Sequence, residues 1–278
     1  MSRPGNTTRI TDSTKNADAV QKSVEVTEVR SAHGQPRHSG HESDRMPSAA
    51  DRTRTLVQST CSAVLMIPGL DVPRTEQLVP QARVVGPDGE VFLLFPADSP
   101  AVRAATHAQD DELPAVLEIT DVAPVSVPQR IRGRAWVSGW LTCAPGLAEP
   151  GSTMVRLEPG ELYVDDLWGA CSVDADTFAR ASVDPLTAHE TELLQHLHSA
   201  HSGQVQELCG LLGDRTRALA DGDGSPVRAV PLALDRFGLR VRFVGERCFD
   251  ARFDFPEPVD GVTELRRAMR ALFSAAAG

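Results

Sequence analysis

Between residues 51 and 176 the chain consists of short β-branched and apolar runs: "SAVLMI", "QARVV", "EVFLLF", "AVLEITDV", "RIRGRAWVSGWLT", "TMVRLE" and "ELYVDD". Turn-forming residues separate them. Strand-like runs at such regular spacing predict an antiparallel barrel or sandwich. "GPDG" at 86–89, between the second and third runs, is a hairpin turn in its own right. Two short helices are expected to interrupt the strands, "DRTRTLVQST" at 51–60 and "SPAVRAATHA" at 99–108. In the second, Ser99 can cap and Pro100 fits the first turn.

The last hundred residues change period. Thr187 followed by Glu190 reads as a capping box. Leu194, Leu197, His201, Val205, Leu208 and Leu212 then recur at three and four, predicting one helix that runs until Gly213 stops it. "VRAVPLAL", "LRVRFV" and "CFDARFDF" follow as three strands, and a closing helix aligns Leu265, Ala268, Met269, Leu272, Phe273 and Ala276. The predicted class is α+β. The register of the last hairpin is fixed by its own side chains, because a slip of one residue turns the apolar set toward water. A three-residue loop "GER" pairs Phe243 with Phe249, Val241 with Ala251 and Leu239 with Phe253, and sets Arg242 against Asp250. A two-residue loop mixes the faces.

Residues 1–50 are rich in Ser, Thr, Asp, Asn and Gly without periodicity, and their charges nearly cancel, so they read as a disordered tail. Met46, at its end, is a second place where translation can begin. The formal net charge is -10, and the part after the tail is more acidic than the whole. Such a field repels nucleic acid and anionic membrane surfaces. No apolar run is long enough to span a bilayer and the N-terminus lacks the apolar core of a secretory signal, which together predict a cytoplasmic protein. The five cysteines form no CxxC pair and read as reduced thiols. Lysine occurs only at Lys15 and Lys22, which removes P-loop and Schiff-base chemistry from the folded part.

The densest concentration of candidate ligands is "HLHSAHSG" at 196–203. On one continuous helix, His201 falls at the centre of the apolar stripe, His198 at its edge and His196 on the wet opposite face, so only His198 and His201 are neighbours. Such a helix has two readings. His201 can be a hydrogen-bonded core or interface histidine with the others solvated, or a neutral imidazole beside an apolar groove can ligate haem iron from one side. A porphyrin also needs cations for its propionates, and Arg240, Arg242 and Arg252 lie in the same half. Arg130, Arg132 and Arg134 alternate along a strand and would project from one side as a phosphate or carboxylate clamp, or as a plain outer face. Gly133 between them permits close approach of a backbone or a flat ligand. GxSxG, HExxH and a GxGxxG after a strand are all missing from the sequence, which takes away the best evidence for hydrolase and dinucleotide chemistry. "DDLWG" at 165–169 reads as a strand end with a packed Trp168, since adjacent carboxylates on a strand face opposite ways. "DGDG" at 221–224 is too short for a calcium loop.

The strand-rich half followed by "ASVDPLTAHETELLQHLHSAHSGQVQELC", "PLALDRFGLRVRF", "FDARFDFPEPV" and "ELRRAMRALFSAAA" resembles the haem-utilisation-type family of pyridoxamine-phosphate-oxidase-like split barrels. The resemblance covers most of residues 52–276 and is clearest after residue 180. It implies that the strand-rich half is a split β-barrel, so the expected organisation is a disordered tail at 1–50, a split β-barrel domain at 51–180 and a smaller helix–three-strand–helix domain at 181–278. It also implies a homodimer holding haem or flavin mononucleotide (FMN). His196 and His201 match the two histidines of the family's H-x-N-x-D-H helix, with His198 and Ala200 in place of its Asn and Asp. Arg252 matches an arginine of the "RF-F-P" strand, and Ser99, Arg103 and His107 fall where the family places cofactor contacts. The expected cofactor-binding set is thus His196, His198, His201, Arg132, Arg134, Arg252, Ser99, Arg103 and His107, with His198 and His201 as candidate iron ligands. The expected function is haem binding with little or no catalysis. The alternatives are an FMN-dependent oxidoreductase and a non-catalytic interaction or regulatory protein with an eroded site.

Overall fold

The computed structural model describes residues 46–72, 74–108, 113–212, 227–245 and 248–277. The tail up to residue 45, Gly213, the "DGDG" turn and Glu246 and Arg247 of the last hairpin loop lie outside the described residues.

The alternating runs give six strands, β1 (Ser62–Met66), β2 (Ala82–Val85), β3 (Val91–Pro96), β4 (Leu113–Val122), β5 (Ile131–Ala144) and β6 (Ser152–Asp166), because "TMVRLE" and "ELYVDD" form one continuous strand; a seventh, β7 (Gly169–Asp174), follows from "GACSVD", which the runs did not include. They make one curled antiparallel half-barrel sheet in the order β1-β4-β5-β6-β3-β2, with β7 paired to β6. Its concave side is apolar because every second residue points there. Leu65, Leu93, Phe95, Leu117, Ile119 and Leu157 are fully buried, each contributing about 1.5–3 kcal/mol over an exposed position. The "GPDG" turn forms as expected, with Gly89 at φ +89 and Gly86 N–H donating to the Glu90 carbonyl at 2.8 Å. α1 (Ala49–Gln58), capped by Ser48, packs against β2, β7 and the short α3 (Ala175–Arg180). α2 (Pro100–His107) is capped by Ser99 with Pro100 in its first turn, as the sequence predicts, and packs on β5.

The second layer contains α4 (Glu190–Ala200), α5 (Ser202–Glu207), a 3₁₀ turn (Leu208–Leu212), the antiparallel strands β8 (Arg228–Asp235), β9 (Gly238–Val244) and β10 (Cys248–Asp254), and the closing helix α6 (Val262–Ala277). The α+β class and its two-part layout are as expected. In the last hairpin Phe243 stands opposite Phe249, Val241 opposite Ala251, Leu239 opposite Phe253 and Arg242 opposite Asp250, the register that keeps the apolar face whole. Phe243 is fully buried and stacks on Phe249 at 5.0 Å. Each layer has its own hydrophobic core. Ala123, Val125, Val127, Val230 and Leu232 form a third, smaller cluster that joins the β4–β5 connection to β8.

Two local expectations are corrected. The single helix predicted from about 190 to 212 is broken at His201, whose backbone (φ -124, ψ 22) ends α4 and starts α5. The Ser202-Gly203 pair that follows is the kind of weak point where helices kink. The capping box does not form. His189 occupies the N-cap, Thr187 donates to the Asp184 carbonyl, and Glu190 turns instead toward the other layer.

Candidate functional site

The seam between the layers is a network of charges. A β-bulge at Asp121/Val122 shifts the pairing of β4 with β5, and the alternation of the arginine row is lost there. Arg132 is buried while Arg130 and Arg134 remain exposed, so the three guanidinium groups do not share a side. Arg132 is held through its two terminal nitrogens, while its Nε is buried without a partner. Its Nη1 donates to Glu190 Oε1 at 2.7 Å and to the Leu232 carbonyl at 3.0 Å, and its Nη2 donates to Asp121 Oδ1 at 2.8 Å and Glu190 Oε2 at 3.1 Å. Burial pulls its pKa down, but the facing carboxylates of Glu190 and Asp121 outweigh it and raise it, which keeps the guanidinium charged. Glu190 also accepts from Leu234 N–H, and burial pushes its carboxyl up against the pull of Arg132. Cys61 donates to Asp121 at 3.4 Å; burial, helped by that carboxylate, pushes its thiol up to about 12, far from nucleophilic. Gly133 serves this packing: a Cβ there would stand 2.9 Å from Asp166 Cβ.

Beside this network lies a cavity of about 130 Å³ lined by Arg52, Cys61, Asp121, Arg132, Trp168 and Glu190 among others. Ligand pockets for cofactor-sized molecules run to roughly 300–1,000 Å³, so the seam has room for a few waters and not for a flavin or porphyrin ring. Trp168, at the β6–β7 turn, packs under the guanidinium groups of Arg252 at 4.3 Å and Arg240 at 4.7 Å, a fixed contact between the layers. Arg252 is further paired with Asp235 at 2.7 Å and Asp254 at 2.8 Å, and Arg242 with Asp250 at 2.6 Å and with the Pro128 and Gln129 carbonyls. The arginines expected to meet propionates are therefore committed to the fold.

The imidazoles lie elsewhere, where α4 gives way to α5. Because the helix breaks at His201, its ring swings toward His196 and not along the ideal face toward His198. The His196 and His201 Nε2 atoms are 3.2 Å apart and the rings meet edge-on at 4.9 Å. His201 Nδ1 is 2.6 Å from Gln204 Oε1, and its ring lies nearly parallel to Phe273 of α6, with centroids 6.3 Å apart. His198 is half-buried, and its Nδ1 is enclosed with no hydrogen-bond partner. The expectation that only His198 and His201 are neighbours is thus corrected by the break, which a uniform helical wheel cannot represent.

Sequence reasoning did not single out the closing helix as part of a site. Arg266, Arg270 and Phe273 follow one another at i, i+4 and i+7, a single face of α6. Arg266 and Arg270 are exposed, and neither is engaged by a carboxylate among the described residues. The signal was present in "ELRRAMRALF", whose arginines keep step with its phenylalanine. Ser99, Arg103 and His107 are brought together on α2, apart from this cluster. Ser99 is spent as the N-cap, Arg103 donates to the Asp98 carbonyl, and His107 Nδ1 lies 2.7 Å from the Arg103 carbonyl. Among the described residues no group of three or more His, Cys, Asp or Glu side chains is placed to enclose a metal ion, and no helix is long and apolar enough to cross a membrane.

No family model and no curated protein matches the chain. Among solved structures, a heme binding protein from Mycobacterium smegmatis aligns with a TM-score of 0.55 at 20% identity, over 84% of this chain and 98% of that one. A protein of unknown function from Agrobacterium tumefaciens aligns over 86% of this chain and 99% of its own at 14% identity, with a TM-score of 0.35. The chain therefore shares the half-barrel α+β architecture of the mycobacterial protein; the second alignment is too loose to carry an argument.

Proposed function

We propose that this chain binds haem, with little or no catalysis, at the surface where the α4–α5 junction meets α6, and that an imidazole of His198 or His201 ligates the iron. The observation that carries this reading is the contact of the His201 ring with Phe273 at the head of the helix face that bears Arg266 and Arg270. It combines an imidazole donor, an aromatic wall for the ring and two cations that no carboxylate among the described residues engages, the three things a porphyrin asks of a protein. The enclosed and unpartnered Nδ1 of His198 fits the same group, since an imidazole nitrogen without a hydrogen bond is a donor in reserve. The shared architecture with a heme binding protein supports the reading.

Bound haem would supply the redox-active iron; the residues of this chain orient it and hold its charged edge. Flavin mononucleotide is the weaker reading, because Arg132, its expected phosphate clamp, is occupied by Asp121 and Glu190 and the adjoining cavity is too small for the ring. Hemin added to the purified full chain is expected to give a saturable Soret band at one equivalent. Arg266→Glu with Arg270→Glu should weaken uptake about tenfold, less so at high salt, as exposed charges do. A titration that never saturates would refute the proposal.

We further propose a cytosolic homodimer. Cys61, Cys143, Cys171 and Cys248 are free thiols, as suits a reducing compartment. The outer face of the half-barrel carries Val64, Met66, Val116, Trp136, Trp140 and Tyr163, with Trp136 and Tyr163 in ring contact at 5.8 Å and Trp140 46% exposed. An apolar face of this kind on a single chain calls for a partner, and a second copy across a two-fold axis is the commonest one. Light scattering at micromolar concentration should give twice the 29.9 kDa chain mass, and Trp136→Glu should return it to the monomer. A monomeric wild-type protein would refute this part.

A further inference from the structure

We propose that His196 and His201 form a chelating site for a single divalent transition-metal ion in the chain without porphyrin. The geometry of the two rings carries the inference. Two imidazole nitrogens, each about 2.0–2.1 Å from one ion in cis positions, lie roughly 2.9–3.4 Å apart, and the two Nε2 atoms are 3.2 Å apart. Imidazoles on opposite faces of a haem iron would instead be roughly 4 Å apart with the ring between them, so this pair is set for a bare ion. The tautomer agrees. His201 Nδ1–H donates to Gln204 Oε1 at 2.6 Å, which leaves the lone pair on Nε2 and fixes the ring, the role an outer-shell partner plays at metal sites. In the metal-free pair His196 Nε2–H donates to His201 Nε2; on binding, the His196 proton moves by way of solvent from Nε2 to Nδ1, so that both neutral rings present an Nε2 lone pair to the ion and no net proton is released.

The helix break makes the site. Residues five apart on an unbroken α-helix do not face one another, and the non-helical backbone of His201 brings its ring over His196. His196 is exposed and His201 half-buried, so an ion can enter from solvent. No third His, Cys, Asp or Glu completes the shell among the described residues, so water or an outside ligand fills the remaining positions, and the imidazole pair favours ions of the nickel, copper and zinc type.

The test is calorimetric titration of Ni²⁺ into the full chain without hemin. The wild type should show a micromolar site that His196→Ala and His201→Ala each abolish, with one equivalent lost from the total. Gln204→Leu should weaken it by about tenfold or more, and His198→Ala should leave it unchanged. Thermal melts of the variants without Ni²⁺ should match the wild type, which separates lost ligation from lost folding. The inference is overturned if His196→Ala and His201→Ala both retain the wild-type isotherm, or if no micromolar site exists. It stands apart from the haem reading: His196→Ala should abolish the Ni²⁺ site and leave the hemin Soret band intact, and a chain that takes hemin but not Ni²⁺ removes this inference alone.

Discussion

Arg132→Ala is expected to lower stability by about 3–5 kcal/mol, the range for removing one partner of a buried ion network. The buried carboxylate of Asp121 and the partly buried one of Glu190 would be left without their counter-charge, at a seam where the Arg132 side chain is only 7% exposed. For a folded region of this size, that corresponds to a fall of roughly 6–20 °C in melting temperature. The network is also specific in sign. Arg132→Met combined with Asp121→Asn and Glu190→Gln removes the charges together and should cost less than half as much as Arg132→Ala alone, because amides still accept the Cys61 and Leu234 hydrogen bonds. Differential scanning calorimetry of the two variants checks both statements. A melting temperature of Arg132→Ala within 2 °C of wild type, roughly the effect of 1 kcal/mol or less, would mean the seam does not depend on this residue.

The second large effect is expected at Gly139, in the middle of the half-barrel. The pairing of β5 with β6 shifts between Ser138 and Gly139, and the two backbones approach so closely there that a Cβ on Gly139 would sit 1.9 Å from the Glu158 carbonyl oxygen and 2.8 Å from its carbon. Neither atom belongs to a flexible side chain, so β5 and β6 must separate to admit Ala. Gly139→Ala should cost roughly 3 kcal/mol or more, in the range of a backbone clash within a core sheet. Gly160→Ala is the internal control. Its Cβ would crowd Trp140 ring atoms, at 2.9 and 3.2 Å, with the Ser138 carbonyl oxygen at an ordinary 3.8 Å, and Trp140 is 46% exposed and free to move outward. We expect a loss of about 1 kcal/mol or less there. Equal melting temperatures for the two variants would contradict the close approach at the bulge.

The features legible in the sequence are those that repeat along an element. Alternation in "LRVRFV" and "CFDARFDF" fixed which residues stand opposite each other, because a wrong register exposes Phe243 and Phe253 together. Ser99 and Pro100 announced the start of α2, and "GPDG" its hairpin, because each is a local preference that tertiary packing has no reason to override. What was not legible depends on partners distant in the chain. The bulge that buries Arg132 exists opposite Asp121, and its value is set by Glu190, 58 positions away from Arg132. Glu190 left its capping role for the same reason. Arg252 meets Asp235, Asp254 and the ring of Trp168, partners that its place in the "RF-F-P" pattern does not announce. The break at His201 sits between these cases. Ser202 and Gly203 mark it locally, but the 3.6-residue stripe of Leu194, Leu197, Val205 and Leu208 continues across it and hides it.

The haem reading rests on ligation by an imidazole of the α4–α5 segment, and the visible spectrum of the hemin complex reports that bond directly. For wild type we predict an imidazole-ligated ferric spectrum, with the Soret position shifted from that of free hemin, which His198→Ala combined with His201→Ala abolishes while the fold, followed by far-ultraviolet circular dichroism, is retained. A Soret band of the double variant identical in position and intensity to that of wild type would contradict the account.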